Sequence, residues 1–112
     1  MKKLKNKFEI KIDRQLKKSK LPYKYESEKL AYYFTGHYIP DFVVLTPRGK
    51  IYIEAKGYLR PEHKRKMAAV KKLYPTLDIR ILFYSFSKKY VKWAEKCGFP
   101  YAIGTIPKEW LI

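Results

Sequence analysis

The sequence predicts an α/β fold, a mixed β-sheet flanked by helices, in one domain spanning residues 1–112. Three observations lead there. Hydrophobic periodicity alternates between helical and strand-like in the order helix, strands, helix, strand, helix, which implies a mixed sheet with helices on its faces. No internal repeat, low-complexity tract or Gly/Ser linker separates the segments, so they pack on one another. Of the 112 residues, 46% are hydrophobic, which suits one modest core.

The first helix is expected from about Lys5 to Lys18. Leu4, Phe8, Ile12 and Leu16 recur every four residues with Lys and Arg between them, and Lys20-Leu21-Pro22 ends the run. The aromatic-rich stretch from Tyr23 to Tyr38, which contains Gly36, is read as one strand followed by a connection. Asp41 to Leu45 and Lys50 to Lys56 alternate as strands, and Thr46-Pro47-Arg48-Gly49 joins them as a turn, giving a hairpin. A second helix starts at Pro61, a favoured first helical residue, and carries Met67, Val70 and Leu73 or Tyr74 on one face until Pro75 stops it. Asp78 to Tyr84 is an apolar strand in the sheet interior. A last helix has Ser87 as N-cap, Tyr90, Val91, Ala94 and Cys97 along one side, and Gly98 just past its end.

Charge narrows the class of partner. The chain carries 26 Lys and Arg against 10 Asp and Glu, a net charge of +16, beyond what solubility requires. Nucleic acid fits best, through phosphates neutralised by basic side chains; a solvated basic surface and a membrane-surface patch are the alternatives. The 11 tyrosines and 6 phenylalanines serve the core first, with stacking on unpaired bases as a second role. The one cysteine, Cys97, excludes an intrachain disulfide, and no Cys/His cluster has zinc spacing. No run approaches the roughly 20 apolar residues of a membrane span. The basic start from Met1 to Lys7 is followed by no apolar signal segment, so a cytoplasmic location is expected.

The chemistry concentrates on the hairpin. Residues two apart in a strand share a face, so Glu54 and Lys56 lie together while Ile53 and Ala55 face the other way. With Thr46 paired to Gly49, Asp41 falls opposite Glu54, and two carboxylates and an ammonium converge. Opposed carboxylates repel unless a divalent cation sits between them, and oxygen donors suit Mg2+ or Mn2+. Such an ion polarises a phosphodiester and acidifies a bound water, while the lysine orients or activates the nucleophile. Pro40-Asp41 followed thirteen positions later by Glu54-Ala55-Lys56 is the PD-(D/E)XK nuclease pattern; an incidental strand salt bridge is the alternative. Glu9 lies beside the apolar stripe of the first helix, facing a metal at the core edge or pairing with Lys11 on the surface. Lys64, Arg65 and Lys66 begin the second helix near the hairpin and are expected at the DNA backbone or in solvent. His63 is read as a phosphate contact or solvated residue rather than a general base, His37 has no ligand spacing to it, and Trp93 and Trp110 are assigned to packing.

These residues, together with Phe8-Glu9, Pro40-Asp41-Phe42, Tyr74 to Ile81, Glu95-Lys96-Cys97-Gly98 and Ile106 to Trp110, give the chain a resemblance to the endonuclease I family of the T-odd coliphages. Those are Holliday-junction resolvases of the PD-(D/E)XK superfamily, and the resemblance implies that the mixed sheet is restriction-endonuclease-like. The resemblance implies metal-binding carboxylates at Glu9, Asp41 and Glu54, a further ligand in the Ala55 carbonyl, and a catalytic lysine at Lys56. It implies an intertwined homodimer in which the N-terminal helix and first strand, about residues 5–38, cross to the partner so that Glu9 completes the other site. It implies a four-way or otherwise branched DNA substrate. A further acidic position of the family falls on Lys24, with Glu26 two positions later. The stretch before Asp41 is shorter, and the family's basic tail after the final Trp is missing. Nicking, mismatch and restriction-type nucleases of the same chemistry are the nearest alternatives, and a non-catalytic nucleic-acid-binding protein is a more distant one.

Overall fold

A computed structural model describes residues 4, 6–32 and 36–112, with backbone alone at positions 31, 32 and 36. Lys5, expected to open the first helix, and residues 33–35, within the stretch expected as a strand and a connection, lie outside the described residues. Helix α1 spans Lys7–Ser19, capped at its start by the Asn6 side chain, which accepts the Glu9 N–H at 2.9 Å. Lys20 closes it in a left-handed conformation, φ 61°. The hairpin strands are β4 (Phe42–Thr46) and β5 (Gly49–Lys56), and α2 spans Pro61–Leu73. Strand β6 (Ile79–Phe83) and α3 (Lys88–Cys97) follow, the helix capped by Ser87 and ended by Gly98 at φ 82°.

The stretch from Tyr23 to Tyr38, expected as one strand followed by a connection, instead holds three short strands: β1 (Tyr23–Tyr25), β2 (Leu30–Tyr32) and β3 (Gly36–Tyr38). Glu26 ends β1 because its backbone turns into the left-handed region, φ 46°. Strands β2 and β3 pair with each other, antiparallel, as a small separate sheet. Two elements beyond those expected close the chain, β7 (Tyr101–Ile103) and a 3-10 turn over Lys108–Leu111.

The main sheet runs β1-β4-β5-β6-β7, antiparallel from β1 to β5 and parallel from β5 to β7. Alternation along the strands supplies two cores. Phe42, Val44, Ile51, Ile53 and Leu82 face α1 and bury Ile12 and Leu16. Val43, Tyr52, Ile79, Ile81 and Phe83 face α2 and α3 and bury Met67, Val70 and Ala94. Burying side chains of this size against both faces removes most of their apolar surface from water, the dominant favourable contribution to folding. The β2-β3 hairpin adds Leu30 and Tyr38 to the second core. Trp93 packs on Phe99 with ring centres 5.5 Å apart, and Trp110 lies under Arg80, so both serve packing as expected. No helix among the described residues is long and apolar enough to cross a membrane.

Candidate active site at the edge of the sheet

The turn at Thr46 to Gly49 sets the hairpin register, with Gly49 at φ 133° supplying a conformation that side chains disfavour. Thr46 pairs with Gly49 and Phe42 with Ile53, the expected register, but the ladder stops there. Asp41 does not pair opposite Glu54 as a strand residue. Its backbone carbonyl accepts the Glu26 N–H at 3.0 Å, and its Oδ2 accepts the Ala55 N–H at 2.8 Å. The side chain thus takes the N–H that strand pairing no longer satisfies. This fastens the carboxyl group to β5.

Glu9 reaches the same place from the first turn of α1, where a carboxylate is favoured by the helix dipole. It is buried, and Tyr25 on β1 donates its hydroxyl to Glu9 Oε1 at 2.8 Å. Glu26 joins it: carboxylate oxygens of Glu9, Glu26 and Asp41 lie within 4.8 Å of one another. Beside this trio, Glu54 is held at both oxygens. Tyr38 donates to Oε1 at 2.9 Å, and Lys56 Nζ contacts Oε2 at 2.9 Å, on the one face that the strand period required. Glu9, Asp41, Glu54 and Lys56, expected together, line one cleft of about 380 Å³.

Three titratable residues that sequence reasoning had left aside also line the cleft: Glu26, His37 and His63. Helical spacing carried a signal for His63, which precedes the buried Met67 and Val70 by four and seven residues and so shares their face. Its Nδ1 is enclosed, without a hydrogen-bond partner among the described residues, and burial, then the Lys56 charge, lowers its pKa. Of the basic trio, Lys66 reaches the cleft wall while Lys64 and Arg65 do not line it.

Electrostatics single out Asp41. Burial first, then the neighbouring Glu54 carboxylate, and further the Glu9 carboxylate, push its pKa up to about 8, against the opposing pull of the Ala55 N–H and Lys56. Tyr38, also buried and facing Glu54, is held well above the usual phenol range and stays a neutral donor. An oxygen-rich cluster in which one carboxyl group keeps its proton to tolerate its neighbours fits a hard divalent cation. Glu9, Glu26 and Asp41 have the geometry to hold one, with Glu54 adjacent. Nothing in the arrangement tests the Ala55 carbonyl as a ligand; its N–H is the group engaged.

The sequence matches known proteins along most of its length. A family model described as phage endonuclease I matches residues 1–112. Endonuclease I of Escherichia phage T7 is 34% identical over 114 residues, covering 92% of this chain and 74% of that protein. Endodeoxyribonuclease 1 of Enterobacteria phage T3 is 34% identical over 110 residues, covering 88% of this chain and 70% of that protein.

Proposed function

The chain belongs to the phage endonuclease I family, and on that premise we propose that it is an Mg2+- or Mn2+-dependent DNA endonuclease that resolves four-way and other branched junctions. The observation that carries this reading is the cluster of Glu9, Glu26 and Asp41 beside the Glu54–Lys56 pair, in a chain of net charge +16. A bound cation supplies Lewis acidity to the phosphodiester and acidifies a coordinated water. The carboxylates of Glu9, Asp41 and Glu26 hold it, and Tyr38 and Lys56 fix the orientation of Glu54. Lys56 Nζ, anchored on Glu54, orients the attacking water or offsets charge on the phosphate. Lys66 on the cleft wall and the basic surface around it take neighbouring phosphates.

Junction preference is tested by incubating the purified chain and Mg2+ with end-labelled four-way junction, linear duplex and single strand. The junction is expected to be cut roughly tenfold faster than duplex or more, a difference of about 1.4 kcal/mol in transition-state binding. Equal rates on junction and duplex overturn the preference, and no cutting of any DNA overturns the nuclease reading. A homodimer supplies the two sites that paired cuts need. In an exchange of residues 5–38 between chains, Glu9, Glu26, His37 and Tyr38 at each cleft would come from the partner chain. Mixing Glu9→Ala with Glu54→Ala chains then restores cleavage; no restoration means that each chain uses its own Glu9.

Metal binding is expected to release a proton, because Asp41 keeps one up to about pH 8 in the metal-free chain. Affinity for Mg2+ therefore falls as pH drops below 8, by up to about tenfold per pH unit. Calorimetry in two buffers of different ionisation enthalpy reads this directly: close to one proton is released at about pH 6.5 and little at about pH 9. Equal release at both pH values would place the ion away from Asp41.

A further inference from the structure

A second depression adjoins the cleft and takes no part in the chemistry above. Its volume is about 490 Å³; Phe8, Tyr84, Lys7 and Lys11 line it, and it shares Asn6 and Ala55 with the catalytic cleft. Both aromatic residues are tied to the catalytic machinery. Phe8 precedes Glu9 on α1, and the Tyr84 N–H donates to the Lys56 carbonyl at 2.9 Å. Their ring centres stand 5.2 Å apart at an angle of 51°, so Phe8 braces Tyr84. Tyr84 is nevertheless 59% exposed, leaving much of its ring open.

The surroundings repeat this pattern. Strands β5 and β6 are parallel with Lys56 level with Phe83, so the residues just beyond both strands emerge at one end of the sheet. Tyr58 and Phe86 are there, 66% and 69% exposed. Scattered apolar side chains on a surface, Tyr58 and Phe86 included, are ordinary, but the Phe8–Tyr84 pair shares one depression with Lys7 and Lys11 and adjoins a phosphodiester-cutting site, which matches the way single-stranded nucleic acid is held. A base inside a regular duplex has both faces covered by its neighbours and offers nothing to such a ring. An unstacked base at a branch point does.

We propose that this depression is a nucleobase-binding subsite, in which Tyr84, braced by Phe8, stacks on the open face of an unstacked base next to the scissile phosphate while Lys7 and Lys11 neutralise the adjoining phosphates. The inference rests on the endonuclease reading of the cleft, and it gives that reading a source of structure selectivity: the protein detects an open base face rather than a base sequence.

The test measures affinity by fluorescence anisotropy in EDTA, for a four-way junction, a linear duplex, and junctions in which each nucleotide flanking the branch point is replaced in turn by an abasic residue. Tyr84→Ala is expected to weaken junction binding roughly tenfold to a hundredfold, with Tyr84→Phe close to the unaltered chain and duplex affinity little changed. At one position the abasic substitution lowers the affinity of the unaltered chain by the same factor and that of Tyr84→Ala not at all. Junction binding by Tyr84→Ala that equals the unaltered chain's, or an abasic loss equal in both chains, overturns the proposal. Cleavage separates the two readings. An unaltered chain that cuts no DNA with Mg2+ overturns the endonuclease on which the subsite rests, whereas full junction cutting and binding by Tyr84→Ala overturn the subsite alone.

Discussion

Replacing Asp41 with asparagine is expected to lower DNA cleavage by about a thousandfold or more while making the metal-free chain more stable. The two effects have one cause. Asp41 sits among Glu9, Glu26 and Glu54, and burial together with the charges of Glu54 and Glu9 raises its pKa to about 8. Asparagine keeps an oxygen able to accept the Ala55 N–H, so the backbone anchor survives, but it removes a charge that a divalent cation needs. The pH dependence carries a definite sign. A carboxyl group whose pKa is 3.8 in the unfolded chain and about 8 in the folded one leaves the folded state holding the extra proton between those values. Stability of the metal-free protein therefore falls as pH rises through that window and is flat above it. The amide of the Asp41→Asn variant does not titrate, so the variant's advantage in unfolding free energy grows from about pH 4 to about pH 8 and reaches about 1–3 kcal/mol in EDTA. A variant that is less stable than the parent at about pH 9 would sink this account, because the carboxylate would then be making a net stabilising contact.

The parts of the molecule legible in the sequence are those fixed by local pattern. Ile12 and Leu16 placed α1, and the turn at Thr46 to Gly49 fixed a register that put Glu54 and Lys56 on one face. What escaped depended on contacts distant in sequence or on a single backbone angle. Strand β7 is three residues long and pairs only with β6, too short for alternation to announce it, although Pro100 and Gly104 bracket its apolar run. The break between β1 and β2 hangs on Glu26 at φ 46°. Had β1 continued, Glu26 would have shared the face of the exposed Lys24; the turn at that residue accompanies the arrival of its carboxylate beside Glu9 and Asp41. Backbone strain concentrated at a functional cluster is a recurrent arrangement. Tyr38 escaped for a similar reason, since only the β2-β3 hairpin, folded over the α2 side, brings its hydroxyl to Glu54.

The second large effect is expected at Lys56. Its Nζ lies 2.9 Å from Glu54 Oε2, with the side chains only 15% and 7% exposed, so the pair is buried and geometrically tight. Lys56→Met leaves the Glu54 carboxylate with the Tyr38 hydroxyl but without its counter-charge. Breaking a buried pair in this way destabilises by roughly 3–5 kcal/mol, moderated here if Glu54 takes up a proton instead. Cleavage is expected to fall by about 10²–10⁴-fold, with the loss in kcat rather than KM, because the lysine acts on the reacting water or phosphate and not on distant duplex. The double variant Lys56→Met/Glu54→Gln separates the roles. With both charges gone and a neutral amide able to accept from Tyr38, much of the lost stability returns while cleavage stays at least as low as in Lys56→Met. If Lys56→Met instead loses stability but cuts DNA at the parent rate, Lys56 is an ion-pair partner on a strand and nothing more. Thermal denaturation and single-turnover cleavage on the same three proteins decide between the two, since a purely structural lysine would move the first measurement and not the second.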